Sequence, residues 1–290
     1  MNPVDPLIGP FVEYGFMRRA LVGAMVIALS AAPVGVFLML RRMSLSGDAM
    51  AHAILPGAGV GFLIAGLEIL PMTLGGFAAG LVVALLAGLV SRLTIQREDT
   101  SLAAFYLISL ALGVMLVSLR GSSVDLMHVL FGTVLALNND ALMMIGAVAT
   151  ISLIALALIW RPLFAECLDP NFLRSVSKAG QPVHLIFLAL VVLNLVGGFQ
   201  ALGTLLAVGL MMLPAAAARF WVKRLEALCM VAVAIGLASS YLGLLLSYYL
   251  SVPSGPAIIM VAGAIYLGSL LVGNRGVIRT RLVPPRHRVA

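Results

Sequence analysis

Long runs without a charged side chain constrain this chain more than any other feature of its sequence. Residues 185–218 and 227–274 contain no Asp, Glu, Lys or Arg, and four further runs are uncharged over 20 residues or more. A helix needs about 20 predominantly apolar residues to cross the hydrocarbon core of a bilayer. The runs therefore predict a membrane protein that crosses the bilayer several times. The four further runs are residues 20–40, 69–91, 100–119 and 141–160.

The composition excludes a soluble protein. Hydrophobic residues make up 62% of the 290 residues, and charged residues only 10%. A soluble globular domain carries about 25% charged residues. Almost the whole length thus belongs to the membrane part, and we treat residues 1–290 as a single transmembrane domain.

Each of the two longest runs contains an interruption. The stretches GGFQALGT at 197–204 and SVPSGP at 251–256 are rich in Gly, Pro and Ser, which mark turns. Dividing both runs there, and adding a shorter span at 50–68, gives nine crossings, or eight if one short segment is re-entrant. The predicted fold class is an all-α transmembrane bundle of eight or nine spans.

Basic residues predict the orientation of these spans, because Arg and Lys collect in short cytoplasmic loops. With nine spans and the N-terminus outside, 15 of the 18 basic residues fall on one face. This places the segment 161–182 and the basic tail 275–290 in the cytoplasm, where the tail is expected to contact anionic membrane lipid. The net charge of +7 follows from this pattern and predicts no nucleic-acid partner. The exceptions are Arg18, Arg19 and Arg120, of which the first two would fit an interfacial N-terminal helix.

The chain lacks a nucleotide-hydrolysis motif of its own. It contains only two lysines, Lys178 and Lys223, and neither stands in the phosphate-binding pattern G-x-x-x-x-G-K-[ST]. A transporter of this sequence would be a channel, a gradient-driven carrier, or the membrane half of a pump whose ATPase is another chain.

The segment 161–182 has the pattern of a short capped helix. Asp169 followed by Pro170 predicts a helix start, and Gly180 predicts its end. Such a helix in a cytoplasmic loop suits either docking to another protein or resting at the lipid interface, and the residues alone leave both open. The residues that would make the docking contact are Asp169, Phe172, Arg174, Lys178 and Gly180.

Asp48 and His52 stand out in the stretch SLSGDAMAHAILPG, residues 44–57, because their surroundings are nearly free of charge. Residues four apart share a helix face, so the carboxylate and the imidazole converge. Both groups bind divalent metals, and ionisable residues within spans commonly mark a transport path. Two structural alternatives remain open: Asp48 could cap a helix, and His52 could hydrogen-bond to Asp48 or to a neighbouring helix.

One such pair supplies two ligands, whereas zinc takes about four. A symmetric dimer in which two pairs meet would supply two oxygens and two nitrogens. The small residues of PGAGVG, at 56–61, would allow the two helices to approach closely. Asp125 and His128, in VDLMHVLFG, are secondary candidates for the metal path, although a structural role is the favoured explanation for them.

Five segments in order along the chain carry a resemblance to one family. SLSGDAMAHAILPG resembles the S-L-x-G-D-A-x-x-H-A-x-L-P-G signature of the zinc/manganese-type ABC importer permeases, and LDPNFLRSVSKAGQPV is similar to the coupling-helix region of that family. Ala51, and Ala217 or Ala218, depart from residues common in the family, but the Asp/His pair is intact. The other similar segments are VDLMHVLFGTVLAL, GTLLAVGLMMLPAAAARF and SVPSGPAIIM.

The resemblance implies a vitamin-importer-like permease architecture in the bacterial inner membrane, with the C-terminus in the cytoplasm. It implies a second copy of the chain, two cytoplasmic ABC ATPase subunits, and an extracytoplasmic solute-binding protein that delivers Zn²⁺ or Mn²⁺. Asp48 and His52 would line the transport site, residues 169–181 would form the coupling helix, and no cofactor would be permanently bound. The residues expected to serve helix packing are Gly57, Gly59, Gly61 and Pro214.

Two other classes of protein compete with a permease that depends on partner ATPases. A gradient-driven metal carrier would need several proton-titrating carboxylates along its path, and only Asp48 is expected inside the membrane. An intramembrane hydrolase built on Ser46 or Ser254 would need a recognisable nucleophile turn, which the sequence lacks. The expected function is therefore that of the permease.

Overall fold

The computed structural model describes residues 5–66, 68–96, 98–118, 137–168 and 180–278. Every regular element within these residues is an α-helix, as the uncharged runs predict. The eleven helices are α1 (Asp5–Glu13), α2 (Gly15–Leu40), α3 (Ser44–Ala53), α4 (Leu55–Ala65), α5 (Ile69–Leu93), α6 (Glu98–Ser118), α7 (Asn139–Leu168), α8 (Gly180–Leu202), α9 (Thr204–Ala218), α10 (Leu225–Leu250) and α11 (Ser254–Val272).

Seven helical segments are long and apolar enough to cross a membrane. Helices α3 and α4 form one of them together, over Ser44–Ala65, although the helix is interrupted at Ile54. Two shorter apolar stretches, Thr100–Leu116 in α6 and Thr204–Ala218 in α9, lie below that length. The predicted count of eight or nine spans is therefore not confirmed, although each of the nine predicted segments contains a helix.

The two long uncharged runs are broken within the stretches predicted to interrupt them. Gly203 separates α8 from α9 with a φ of 89°, a conformation that glycine adopts without steric cost. Helix α10 ends at Ser251, whose φ is 52°, and α11 begins three residues later at Ser254. Local turn chemistry thus converts two runs of apolar residues into four helices.

Helix α2 lies at the centre of the larger of two helix groups. It contacts α7, α9 and α10, and 72% of an apolar stretch of 18 residues within it is buried. In lipid, helices associate by close packing of small residues because lipid tails are as apolar as the side chains. A Cβ added to Gly35 would lie 1.8 Å from the carbonyl oxygen of Met211 in α9, so the two backbones are in direct contact. The small buried residues of α2 are Ala20, Gly23, Ala24, Ala28, Ser30, Ala31, Ala32 and Gly35.

Helices α3 to α6 form the second group, beside this core. Helix α4 packs along α5, and α6 contacts α3, α4 and α5. Helix α8 contacts both α5 and α2 and so joins the two groups. The Asp48/His52 pair therefore belongs to the smaller group, whereas the segment 161–182 is attached to the larger one through α7 and α8.

Arg18 and Arg19 lie in the first turns of the long helix α2 and not in a separate N-terminal helix. The short helix α1 ends at Glu13, before both arginines. Nε of Arg19 donates a hydrogen bond of 2.9 Å to the carbonyl oxygen of Leu137, just ahead of α7. The Arg19 guanidinium, which did not fit the predicted orientation of the spans, is thus hydrogen-bonded to a backbone carbonyl.

Candidate functional site

A tight turn at residues 41–43 leads from α2 into α3. The Arg42 N–H donates to the carbonyl of Met39 at 3.1 Å, and the Met43 N–H donates to that of Leu38 at 3.0 Å. This is the hydrogen-bond pattern of a Schellman motif, and Arg42 has the left-handed φ, 59°, that the motif requires. Leu38 and Met43 are both buried. The turn fixes where α3 begins and hence the position of the residues that follow.

Asp48 and His52 lie on the same face of α3, as their spacing predicts. Nε2 of His52 is 3.9 Å from Oδ1 of Asp48. This separation is too long for a hydrogen bond, but it is just under twice the metal–ligand distance of about 2.1 Å. A divalent cation placed between the two atoms would therefore contact both.

Neither structural alternative for the pair is seen among the described residues. Met43 is the N-cap of α3, so Asp48 lies within the helix and does not cap it. In the described part of the chain, Nδ1 of His52 is buried without a hydrogen-bond partner. The imidazole lies beside the Tyr106 ring of α6, with 6.1 Å between the ring centroids. The ring is thus held by packing, and its other nitrogen is left to face Asp48.

The Asp48 carboxylate lies on the outer surface of the chain. Its side chain is 66% exposed, whereas that of His52 is 29% exposed. Leu45, Val60 and Ile64 on the same helical segment are also exposed, so the surrounding surface is apolar. An ionised side chain is costly where it faces lipid within a membrane span. This surface therefore needs to be covered by protein or to line a path filled with water.

The described residues of one chain do not form a complete metal site. The described residues contain no group of three or more His, Cys, Asp or Glu side chains that could hold a metal ion. The secondary candidates Asp125 and His128 lie outside the described residues. So do the predicted coupling residues Asp169, Phe172, Arg174 and Lys178, whereas Gly180, expected to end the coupling helix, is the first residue of α8.

The glycines after the pair pack within the chain, and our expectation that they face a second copy is wrong for two of them. A Cβ on Gly57 would lie 1.9 Å from the carbonyl oxygen of Gly75, and one on Gly61 would lie 2.6 Å from that of Pro71. Both carbonyls belong to α5, so these glycines bring α4 against α5. Two further residues expected to serve helix packing, Gly59 in α4 and Pro214 in α9, are buried.

A second polar cluster, which the sequence analysis missed, joins the ends of three helices. Nη2 of Arg41, the C-cap residue of α2, lies 3.1 Å from Oε1 of Glu166 in α7 and also contacts Nδ1 of His184 in α8. The side chains of the three residues are only 12%, 5% and 10% exposed, in that order. The sequence predicted no role for Glu166 or His184, and Arg41 entered only as one of the basic residues that predict the orientation of the spans.

One signal in the sequence points to this cluster. Arg41 and His184 adjoin uncharged runs, and Glu166 lies five residues after Arg161 in the segment predicted on the same side of the membrane. An acid among basic residues, as Glu166 and Asp169 are in this segment, indicates an ion pair, but the pattern does not identify its partner.

Comparison with known proteins places the chain in a family. The ABC 3 transport family matches residues 13–273. The chain is 31% identical over 272 residues to the manganese import system permease protein ScaB of Streptococcus parasanguinis, covering 94% of this chain and 96% of that protein. It is 28% identical over 279 residues to the chelated iron transport system membrane protein YfeC of Yersinia pestis, covering 96% and 93%.

A solved structure is also similar. PsaBC from Streptococcus pneumoniae, determined in complex with Fab, superimposes with a TM-score of 0.83 at 29% identity, and the match covers 94% of this chain and 97% of that chain. The residues that match the family, 13–273, include the turn at 41–43, α3 with its Asp/His pair, and all helices from α2 to α11. This chain belongs to the ABC 3 transport family.

Proposed function

We propose that this chain is the membrane permease subunit of an ATP-driven importer of divalent transition-metal ions, with Asp48 and His52 lining the transport site. One observation carries the proposal: a carboxylate and an imidazole face each other at 3.9 Å on the exposed face of a helix in a membrane protein. Oxygen and imidazole-nitrogen ligands suit Mn²⁺, Fe²⁺ and Zn²⁺. ATP hydrolysis belongs to partner chains, since this one has no phosphate-binding motif.

The working site is proposed to belong to a dimer. The Asp48/His52 pair offers two ligands, too few to replace the hydration shell of a divalent ion. An isologous contact around α3 would bring two pairs together on a two-fold axis. It would also cover the exposed carboxylate and the apolar residues beside it, Leu45 among them. Because Gly57 and Gly61 pack against α5, the contact between the two copies is proposed to be made by the outer face of α3.

The transported metal is proposed to be manganese or zinc. Relatives are named for manganese import and, at lower identity, for chelated iron transport. The names favour manganese, while the ligand set fits zinc equally well, because selectivity among these ions comes from geometry and availability.

The proposed partners follow from the family and from the lack of a phosphate-binding motif in the sequence. Two cytoplasmic ABC ATPases would dock on the segment 169–181, and a solute-binding protein would deliver metal on the opposite face. The C-terminus and the basic tail 275–290 would lie in the cytoplasm, and the protein would cross the membrane eight or nine times.

Uptake by reconstituted proteoliposomes tests the proposal. Permease, ATPase and solute-binding protein are combined, and uptake of radioactive Mn²⁺ is measured with and without ATP and in competition with Zn²⁺ and Fe²⁺. Uptake that requires both ATP and the ATPase supports the importer. Uptake by the permease alone, driven by a pH gradient, would identify a gradient-driven carrier instead.

A further inference from the structure

Arg41 occupies an unusual position, because one guanidinium nitrogen contacts two other helices. Guanidinium groups only donate hydrogen bonds, so the Glu166 carboxylate and Nδ1 of His184 both accept from Nη2 of Arg41. The guanidinium carbon also lies 5.2 Å from the centroid of the Phe187 ring, within the range of a cation–π contact. The planar guanidinium can lie over the Phe187 ring while Nη2 donates to both acceptors, and the compact ammonium of lysine would reproduce this geometry only in part.

The two acceptors flank the segment that is proposed to dock the ATPases. Glu166 lies two residues before the end of α7, and His184 lies four residues after the start of α8. The residues between these helices, 169–179, form the greater part of the proposed coupling helix. A force from a docked ATPase would reach the bundle at the end of α7 and the start of α8, and both ends contact Arg41.

Arg41 is in turn rigidly connected to the transport site. It is the C-cap of α2, and the Schellman turn that follows it is closed by two backbone hydrogen bonds and by the buried Leu38 and Met43. Helix α3 begins at Ser44, one turn ahead of Asp48. A displacement of the Arg41 side chain would therefore shift the Asp48 carboxylate through a short turn that is closed by backbone hydrogen bonds.

The cluster is incompletely bonded. Among the described residues, Nη1 of Arg41 and Oε2 of Glu166 are buried and have no hydrogen-bond partner. A contact that serves only to hold helices together is expected to satisfy its buried charges, because unpaired ones are costly. Within the described residues, Arg41 and Glu166 thus keep unused hydrogen-bonding capacity, which suits a contact that exchanges partners.

We propose that Arg41 is the positioning residue that transmits movement of the 169–179 segment to α3 and its Asp48/His52 pair. The inference deepens the proposed function and rests on it. Arg41 does not bind the metal, and it acts through the carboxylate of Glu166, the imidazole of His184 and the turn into α3.

The test compares three variants of the reconstituted importer. The double variant Arg41→Gln with Glu166→Gln removes the ion pair without leaving a lone buried charge. Arg41→Lys keeps the charge but loses the planar fork. Arg42→Gln is the matched control, because Arg42 is the adjacent arginine and its side chain is exposed. Metal uptake, ATP hydrolysis, ATPase binding and thermal stability are measured for each.

We expect the double variant to bind the ATPase and hydrolyse ATP while the number of ions transported per ATP falls roughly 5- to 150-fold, the usual range of coupling between sites. Arg41→Lys should fall in the same direction by a smaller factor, and Arg42→Gln should match the wild type. If the double variant does not reach the membrane, the number of ions transported per ATP by Arg41→Lys decides whether the inference holds.

A wild-type number of ions per ATP in the double variant, or in Arg41→Lys where the double variant is not made, would overturn the inference and leave the proposed function intact. The same is true of a loss of uptake that only parallels a loss of folded protein. Failure of the proposed function has a different signature, because the wild-type complex itself would then take up metal without ATP.

Discussion

The chain contains two pairings of a carboxylate with a histidine, and their surroundings differ in almost every respect. Asp48 and His52 are four residues apart on one helix, Asp48 is exposed and His52 partly exposed, and neither makes an ion pair with Arg or Lys among the described residues. Glu166 and His184 come from different helices, are buried, and share one arginine. The same two functional groups therefore have different roles, because an exposed pair can accept an ion that arrives and a buried pair with its own cation cannot.

The largest effect is expected from removing the exposed pair. Asp48→Ala or His52→Ala should reduce metal uptake to background, because each change removes one of the two ligands that a chain offers. Leu158→Ala is the control, because Leu158 is exposed on α7 and lies outside the proposed contact around α3, and this variant should transport normally. Uptake assays in cells that produce equal amounts of each protein make the comparison. Wild-type rates in both alanine variants would remove the pair from the transport path.

The stoichiometry of binding gives the next test. We expect one ion per two permease chains in the occluded complex, since two pairs are needed to surround it. Ala49 and Ala53, next to the pair, are buried within the chain, so a cysteine at Leu45 is the better reporter of the dimer contact. In a chain with Cys167 and Cys229 replaced by alanine, Leu45→Cys should cross-link to its copy. One ion per chain together with no cross-link would indicate a separate path in each subunit.

Stability should respond to the buried pair and not to the exposed one. Glu166→Ala leaves the Arg41 charge buried without its carboxylate, which costs about 3–5 kcal/mol in such pairs. Asp48→Ala removes an exposed, unpaired charge and should leave the free energy of unfolding unchanged or slightly higher. Denaturant titration of the purified chain in detergent measures both. Equal losses in the two variants would contradict the division of roles.

The smallest effect is expected at the helix contact beside the exposed pair. Gly57→Ala places a methyl group against the α5 backbone and should cost about 1–3 kcal/mol, as overpacking usually does. Gly88→Ala is the control, because a Cβ there has no atom within 4 Å and alanine favours a helix over glycine. The same titration distinguishes them. A neutral Gly57→Ala would show that α4 moves away from α5 at little cost.

Much of the fold followed from local patterns in the sequence. Uncharged runs located the helices, Gly203 and Ser251 lie at the predicted breaks, and the spacing of Asp48 and His52 set them on one face. These features depend on residues close together in the chain. The direction in which Gly57 packs was not predictable, because a small residue permits close approach but does not select the neighbour.

The Arg41 cluster could not be predicted for a related reason. Arg41 is 125 residues from Glu166 and 143 residues from His184 in sequence, and only the packing of α2 against α7 and α8 brings them together. The place of Arg19 illustrates the same limit, because its partner is a backbone carbonyl 118 residues away. Charge patterns show which side of a membrane a residue occupies, whereas contacts across a bundle depend on tertiary structure.

The position of the pair along its helical segment has an electrical consequence. At 1.5 Å per residue, Asp48 and His52 lie about 6 and 12 Å from the start of Ser44–Ala65, within the half nearer to Arg41. With that end at the cytoplasm, an ion from outside crosses more than half of the membrane thickness before it binds. A potential of 100 mV, negative inside, contributes about 2.3 kcal/mol per charge across the full membrane, so loading a divalent ion gains more than about 2 kcal/mol. The membrane voltage would then help to fill the site, and ATP would be needed chiefly to open and reset it.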